Sequence, residues 1–404
     1  MRVLFLSTWF PYPPDNGSKI RAHYLLRALA QEHEVTAVAF WPEGNGQVPS
    51  QRIPGLERVC MTPVCADPFR FVSLPQIAKF ASPIPVSLWP ATAMGRVVQG
   101  LARSKRFDAV VGFQSPAACY ALLLPGAARV LDVDTALAYQ MYERYTKQHG
   151  PAARLRAWVS WQKARFWEGV LLRQFQVCTV VGAQEVGLLD AMVDRRASQI
   201  IVIPNGVDCE HNQPGLASVR PNTLIYNGSL TYSANYDAMR YFLAEVYPLI
   251  RRQEPGVSLT ITGSTVGVDL AGLKLDDSVR LSGYLEDVRP AVASASVCVV
   301  PIRQGGGTRL KILEAMALGT PVVATSKGAE GLDVVDGEHL LLADEPMTFA
   351  DRTVQLLRDP ALRQRLAVNA RKLVEERYNW AQIGQRFVEL VEETVKRHAA
   401  KANP

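Results

Sequence analysis

The stretch SVCVVPIRQGGGTRLKILEAMALGTPVVAT, residues 296–325, decides how the rest of the chain is read. Its first part, 297–302, is a short apolar run rich in β-branched residues, as a strand buried on both faces requires. The run stops at three consecutive glycines, Gly305, Gly306 and Gly307. Thr308 can then serve as N-cap of a helix over 309–318 that places Leu310, Leu313 and Ala317 on one face, with Gly319 as the stop and Pro321 just beyond. Residues 321–325 form the next strand. A strand, a glycine loop and a helix start bring backbone N–H groups and the positive end of the helix dipole to one point, which suits a phosphate.

Lys311 and Glu314 are three residues apart and project together from the first turns, away from Leu310 and Leu313. They offer a cation to a phosphate and a carboxylate to sugar hydroxyls; the plainer reading is a solvated ion pair beside an ordinary turn. The glycine run favours the ligand, because three glycines in a row weaken a fold unless the backbone must bend sharply or let a ligand approach.

Working outward, 404 residues are too many for one ordinary core, and two domains of roughly 200 residues are expected. An apolar content of 48% and a charged content of 20% are those of a globular protein rather than a disordered one. No run of about 18 apolar residues is present, and residues 1–10 lack the length and cleavage site of a signal peptide, so a cytoplasmic location is expected. The six cysteines, at 60, 65, 119, 178, 209 and 298, form no C-x-x-C pair and no Cys/His cluster of zinc spacing; buried, reduced thiols and no metal are expected. The net charge of +6 is uneven, for residues 141–175 hold seven basic side chains and only two acidic ones.

In chain order, Arg2–Ser7 is a first buried strand, followed by a proline-rich turn ending in Asn16 and Gly17, a helix over about 18–31 and a second strand at 35–40. Strand, glycine turn, helix and strand is the order in which a doubly wound sheet binds a ligand at its carboxyl edge, so Asn16 and Gly17 are site candidates, although a structural turn explains them equally well. Residues 42–95 carry many prolines and read as loops, short strands and a lid-like or acceptor-facing insertion. Strands resume at 109–112 and 129–133, with a helix at 117–124 between them. Asp132 and Asp134 end the latter strand, either facing the ligand crevice or capping the next helix.

Trp158, Trp161, Phe166 and Trp167 interleave with Arg154, Arg156, Lys163 and Arg165 along a helix. This aromatic and cationic pattern fits contact with an anionic membrane surface through 154–167, or a helix with its aromatics in the core and its arginines in solvent; a nucleic-acid partner is not expected for want of any such module. Strands follow at 177–181 and 200–203. The strand–helix alternation restarts at 223–227 with Gly228 and Ser229 as the turn, so 204–222 is the expected hinge, and the chain closes with helices over 346–376 and from Trp380 to about 397.

Taken together, IPNGVD (203–208), GSLTYSANYDAMRYF (228–242), SGYLEDV (282–288), the 305–325 stretch and GAEGL (328–332) resemble the retaining GT-B glycosyltransferases of the glycosyl transferase group 1 type, family 4-like. The resemblance covers nearly the whole chain. It implies an α/β fold of two Rossmann-like doubly wound domains facing a central cleft. The acceptor would lie in residues 1–204, to which a helix at 381–398 crosses back, and a nucleotide-diphosphate sugar, as co-substrate rather than cofactor, in 205–380. Tyr284 and Leu285 would join Gly228, Ser229 and the 305–308 loop around the donor, and Gln114, Asp132 and Asp134 would face the acceptor, a glycan, a lipid-linked sugar or a small molecule. Glu314 matches the second carboxylate of the family's E-x7-E motif, which binds the ribose, while Gly306 stands where the first would be.

Two further departures from the family pattern carry a physical reading. Ser229 and Asn235 stand where an arginine and a lysine usually hold the diphosphate, and Phe113 and Gln114 replace a histidine. A diphosphate in a cleft needs cations, so Arg309 and Lys311 are the expected replacements, with Arg21 and Lys19 next in line. The implied activity is a metal-independent hexosyl transfer with retention, in polysaccharide or glycolipid synthesis at the inner face of the plasma membrane. A nucleotide-sugar epimerase of the same fold and a non-catalytic nucleotide-sugar-binding subunit are the other readings.

Overall fold

The β-branched apolar runs become two parallel sheets in a computed structural model that describes residues 1–41, 53–69, 74–193, 198–305 and 309–402. The first half contains β1 (Arg2–Ser7), α1 (Gly17–Glu32), β2 (Glu34–Trp41), β3 (Val59–Cys65), α2 (Gln76–Ala81), α3 (Thr92–Ser104), β4 (Ala109–Phe113), α4 (Ser115–Ala118), β5 (Ala128–Asp134), α5 (Leu137–Thr146), α6 (Pro151–Leu172), β6 (Val177–Val180), α7 (Ala183–Asp190) and β7 (Gln199–Val202). The second contains β8 (Arg220–Asn227), α8 (Ser233–Tyr241), α9 (Tyr247–Gln253), β9 (Ser258–Thr262), β10 (Val279–Gly283), α10 (Arg289–Ala293), β11 (Ala295–Val300), α11 (Leu310–Ala317), β12 (Val322–Ala324), β13 (Leu341–Leu342), α12 (Pro346–Arg358), α13 (Pro360–Arg377) and α14 (Trp380–Ala402). The chain divides into two compact units, Met1–Pro204 with Ala381–Pro404, and Asn205–Trp380. Within the first unit α14 packs on α1: His33 Nε2 lies 3.3 Å from Glu392 Oε1. Gly384 lies so close to α1 that a Cβ there would stand 2.7 Å from that of Ala28.

The seven-stranded sheet has the order β3-β2-β1-β4-β5-β6-β7 and the six-stranded sheet β10-β9-β8-β11-β12-β13. In each, the chain winds outward on one side of its first strand and then returns to the other side, so the order reverses between β1 and β4 and between β8 and β11. A crevice opens at the carboxyl ends of the strands at such a switch point, which is where doubly wound sheets bind ligands. Both central strand pairs are buried runs: β1 and β4 hold Val3, Leu4, Phe5, Val110 and Val111, and β8 and β11 hold Leu224, Ile225, Val297 and Val299. Helices cover both faces, as purely parallel sheets require.

The proline-rich 42–95 region hides a regular strand, β3, pairing in parallel with β2. Pro63 inside it removes a donor, which a strand tolerates at the sheet edge, where β3 lies. α3 was likewise not read from the sequence. Cys60 and Cys65 on β3 are exposed, which corrects the expectation of buried thiols for these two; Cys178, Cys209 and Cys298 are buried, and all six are unpaired.

Candidate functional site

At the switch point of the second sheet, α11 delivers Lys311 and Glu314 to the carboxyl end of β8. They do not form the solvated pair that their spacing allows. The Lys311 ammonium donates to Tyr226 Oη at 2.9 Å and to Asn235 Oδ1 at 3.0 Å, and lies 4.0 Å from the centre of the Tyr226 ring. Glu314 Oε2 accepts from Asn227 Nδ2 at 2.7 Å, and Asn227 Oδ1 in turn accepts from Thr262 Oγ1 at 3.0 Å. Asn235 also donates to the Ser229 carbonyl at 2.8 Å, so one amide ties the lysine to the turn after β8. A Cβ on Gly228 would stand 2.5 Å from the Lys311 ammonium, so a glycine is required for the lysine to reach this place.

Lys311 therefore stands beside Ser229 and Asn235, the positions at which the sequence lacks its expected cations. Among the described residues no carboxylate lies within ion-pair distance of it, and two of its three protons go to neutral oxygens. Burial, with the Arg309 charge adding, pushes its pKa down to about 7. Glu314 is pushed up by burial, against the opposing pull of Lys311 and the Asn227 hydrogen bond. A half-buried ammonium that has no carboxylate within ion-pair distance and a second cation nearby is costly unless an anion joins it.

Arg309 is buried, but its guanidinium turns back on its own loop, donating to the carbonyls of Gly305 and, at 3.3 Å, Gln304. Gly305 has φ +91, a conformation that favours glycine. Gly306, Gly307 and Thr308 lie outside the described residues. Tyr284 and Leu285 follow β10, two strands from β8, and Tyr284 is exposed.

The first sheet's switch point holds a second polar group. Ser18 Oγ donates to Asp134 Oδ2 at 2.7 Å, and Gln114 Nε2 lies 2.9 Å from both Ser18 Oγ and Asp134 Oδ2. Gln114 (φ 65) and Asp134 (φ 60) both occupy the left-handed region, where non-glycine residues are uncommon, and such backbone persists where its surroundings enforce it. Burial pushes the Asp134 carboxyl up.

Asp132 has a different task from the one expected. It is fully buried and bidentate with Arg21, at 2.9 and 2.7 Å, and also accepts from Thr179 at 2.7 Å. Arg21 spends its remaining donors on the carbonyls of Pro204 and Ile203, and Lys19 pairs with Asp15 at 2.9 Å, so both reserve cations are engaged inside the first unit. Asn16 is the N-cap of α1, accepting from Lys19 N at 3.0 Å, which is the plain structural role.

Two buried carboxylates had no sequence signal beyond their helices. Glu168 accepts from the backbone N–H groups of Leu137 and Ala138, at 3.0 and 2.7 Å, at the start of α5. Glu185 accepts from Ala136 N at 2.7 Å, and burial pushes its pKa up to about 8. Ser18 and Asn227 were missed as well, since each acquires its role from a partner about 90 or more residues away.

The aromatic and basic helix α6 divides between its two readings. Trp161 packs on Tyr145 and Tyr142, with centroids 5.6 and 5.0 Å away, and Trp167 Nε1 donates to the Pro83 carbonyl at 2.9 Å. Trp158 and Phe166 are exposed.

Two family profiles match the chain: "Glycosyl transferases group 1" over residues 221–359 and "Glycosyl transferase 4-like domain" over 16–206. A phosphatidyl-myo-inositol mannosyltransferase of Mycobacterium leprae is 31% identical over 208 residues, 48% of this chain and 54% of that protein. The chain thus spans about half the length of the curated relatives it matches. Among solved structures, sucrose-phosphate synthase from Thermosynechococcus elongatus superposes with a TM-score of 0.74 at 19% identity, covering 97% of this chain and 99% of that one. The Anabaena protein HepE in complex with UDP and glucose gives 0.68 at 15% identity, with 97% and 99% covered. These likenesses establish the two-domain GT-B fold.

Proposed function

We propose, for a chain that belongs to the group 1 glycosyl transferases, that it moves a hexose with retention from a nucleotide-diphosphate sugar to a glycan or lipid-linked acceptor, in polysaccharide or glycolipid synthesis on the cytoplasmic side of a membrane. The observation that carries this reading is Lys311: a half-buried amine, without a carboxylate partner among the described residues, at the carboxyl edge of the second sheet. Its free proton is available to a diphosphate oxygen, and Glu314, oriented by Asn227, is available to the ribose hydroxyls.

In the transfer, the bond from the anomeric carbon to the phosphate oxygen breaks and a bond to the acceptor oxygen forms on the same face. The acceptor's proton passes to the departing phosphate. The protein's contribution is then to position the reactants and to stabilise charge growing on the diphosphate, which a fixed cation in a desolvated site does well. No protein base and no metal take part in this scheme. On the first unit, Asp134, held by Ser18 and Gln114, orients an acceptor hydroxyl.

The experiment is to incubate the protein with a panel of nucleotide-diphosphate sugars, measure release of nucleoside diphosphate with and without lipid-linked and free glycan acceptors, and determine the anomeric configuration of the product. Acceptor-stimulated release with retained configuration is expected. Binding of donors without release under any condition would mean a non-catalytic subunit, and an inverted product would overturn the same-face reaction.

A further inference from the structure

The first unit contains a groove of about 720 Å³ between α5, α6 and residues 76–88. Its floor is apolar, with Leu137, Met141, Ala157 and Ala164, and Phe80 and Val86 form the opposite wall. That wall is fastened to α6: Lys163 donates to the carbonyls of Phe80 and Ser82, and Trp167 to that of Pro83. The groove is therefore built in advance rather than opened by a ligand. Its volume is within the roughly 300 to 1,000 Å³ of small-molecule sites.

The rim is cationic. Lys79, Arg144, Arg156 and Lys163 line it, and no carboxylate is among the described lining residues. Arg144 and Arg156 are exposed and make no ion pair among the described residues. On the outward side of α6, Leu155 and Phe166 are each 62% exposed and share one face with Trp158, Arg154 and Arg165; Ile77 beside the groove is 81% exposed. Seven basic against two acidic side chains over 141–175 spread well beyond the groove mouth. A single soluble anion would need two of these cations, whereas an extended anionic surface also engages the exposed Arg154 and Arg165, and its hydrocarbon accounts for the exposed apolar residues.

We propose that α5, α6 and residues 76–88 dock the first unit on an anionic lipid bilayer, with one acyl chain in the groove and the phosphate of the same lipid on Arg144 and Arg156. No helix among the described residues is long and apolar enough to cross a membrane, so the contact is peripheral.

The test is flotation of the full chain with vesicles of phosphatidylcholine alone and of an equal mixture of phosphatidylcholine and phosphatidylglycerol, at low and high salt. Binding to the mixed vesicles only, released by salt, is expected. Each basic residue near such a surface is worth about a fivefold change in partitioning, so the double variant Arg144→Glu with Arg156→Glu loses at least about 25-fold. Met141→Trp, which fills the groove, weakens binding without changing its salt dependence. Nucleoside diphosphate binding and the thermal midpoint stay as in the wild type in both variants, which separates loss of docking from loss of fold. Equal binding to neutral vesicles, an unaffected arginine double variant, or saturable binding of monomeric dodecyl phosphate without any vesicle binding would each overturn the proposal. Unaffected vesicle binding by Met141→Trp would remove the acyl chain from the groove.

Discussion

At the switch point of the second sheet the half-buried Lys311 donates only to neutral oxygens, whereas at that of the first sheet the fully buried Arg21 is consumed by a bidentate pair with Asp132. Near Arg21 stand two more buried carboxyls, Asp134 and Glu185. The two edges share a topology and differ in their polar groups: the first has carboxyls in excess over its one arginine, and the second has a lysine with no carboxylate partner among the described residues. Fold alone assigns a ligand crevice to both sheets. On the proposed reading, these groups suit an anionic diphosphate at β8 and β11 and a neutral hydroxyl at β1 and β4.

Removing the leftover cation has the largest expected effect. Lys311→Met lowers turnover on the order of a hundredfold, read by steady-state kinetics, because the charge on the leaving diphosphate is greatest in the transition state. The same variant is more stable than the wild type without ligand, since a desolvated ammonium has been replaced by an apolar chain of similar volume. Glu314→Ala follows, weakening nucleotide binding by roughly 1.5 to 3 kcal/mol through lost charged hydrogen bonds, as calorimetry would show; unchanged affinity would remove Glu314 from the ribose site.

At the acidic edge the expected effects are smaller. Glu185 is pushed up to about 8 from an ordinary 4.5, so its contribution to stability is complete below pH 4.5 and is lost as pH rises towards 8. Glu185→Gln keeps an acceptor for Ala136 N and removes that loss. Melts across this window are expected to converge at acid pH and to favour the variant by on the order of 1 kcal/mol or more at pH 8. The smallest effect is that of Asp134→Asn: the KM for acceptor rises about fivefold, the value of one hydrogen bond of about 1 kcal/mol, with nucleotide affinity unchanged. A change in nucleotide affinity there would break the division between the two edges.

The sheets were legible because buried parallel strands announce themselves as β-branched apolar runs, and the 305–307 glycines marked the loop that feeds α11. Short strands were expected within 42–95, but β3 could not be placed there because Pro63 argues against a strand, and only its edge position reconciles the two. The types of the charged residues were visible, but their partners were not. Lys311 and Arg309, two residues apart, part company: one crosses to Asn235, 76 residues away, and the other closes on Gly305. No local pattern distinguishes them, since the separation is decided by the space above Gly228. Asp132 and Asp134 likewise divide into an internal ion-pair partner and a strand-edge carboxyl, through a bulge in the β5 register that falls between them.

The central claim is that Lys311 waits for an anion, and proton linkage tests it most directly. The folded pKa of about 7 lies below the ordinary 10.5, so the free protein loses stability as pH falls through this interval, and an anion beside the ammonium must draw a proton back. Calorimetric titration with nucleoside diphosphate at pH 8.5, in buffers of different ionisation enthalpy, is expected to show uptake of nearly one proton by the wild type and none by Lys311→Met, with wild-type affinity falling as pH rises above 7. Binding without proton uptake, or with equal uptake by the two proteins, would contradict the assignment of Lys311 to the diphosphate.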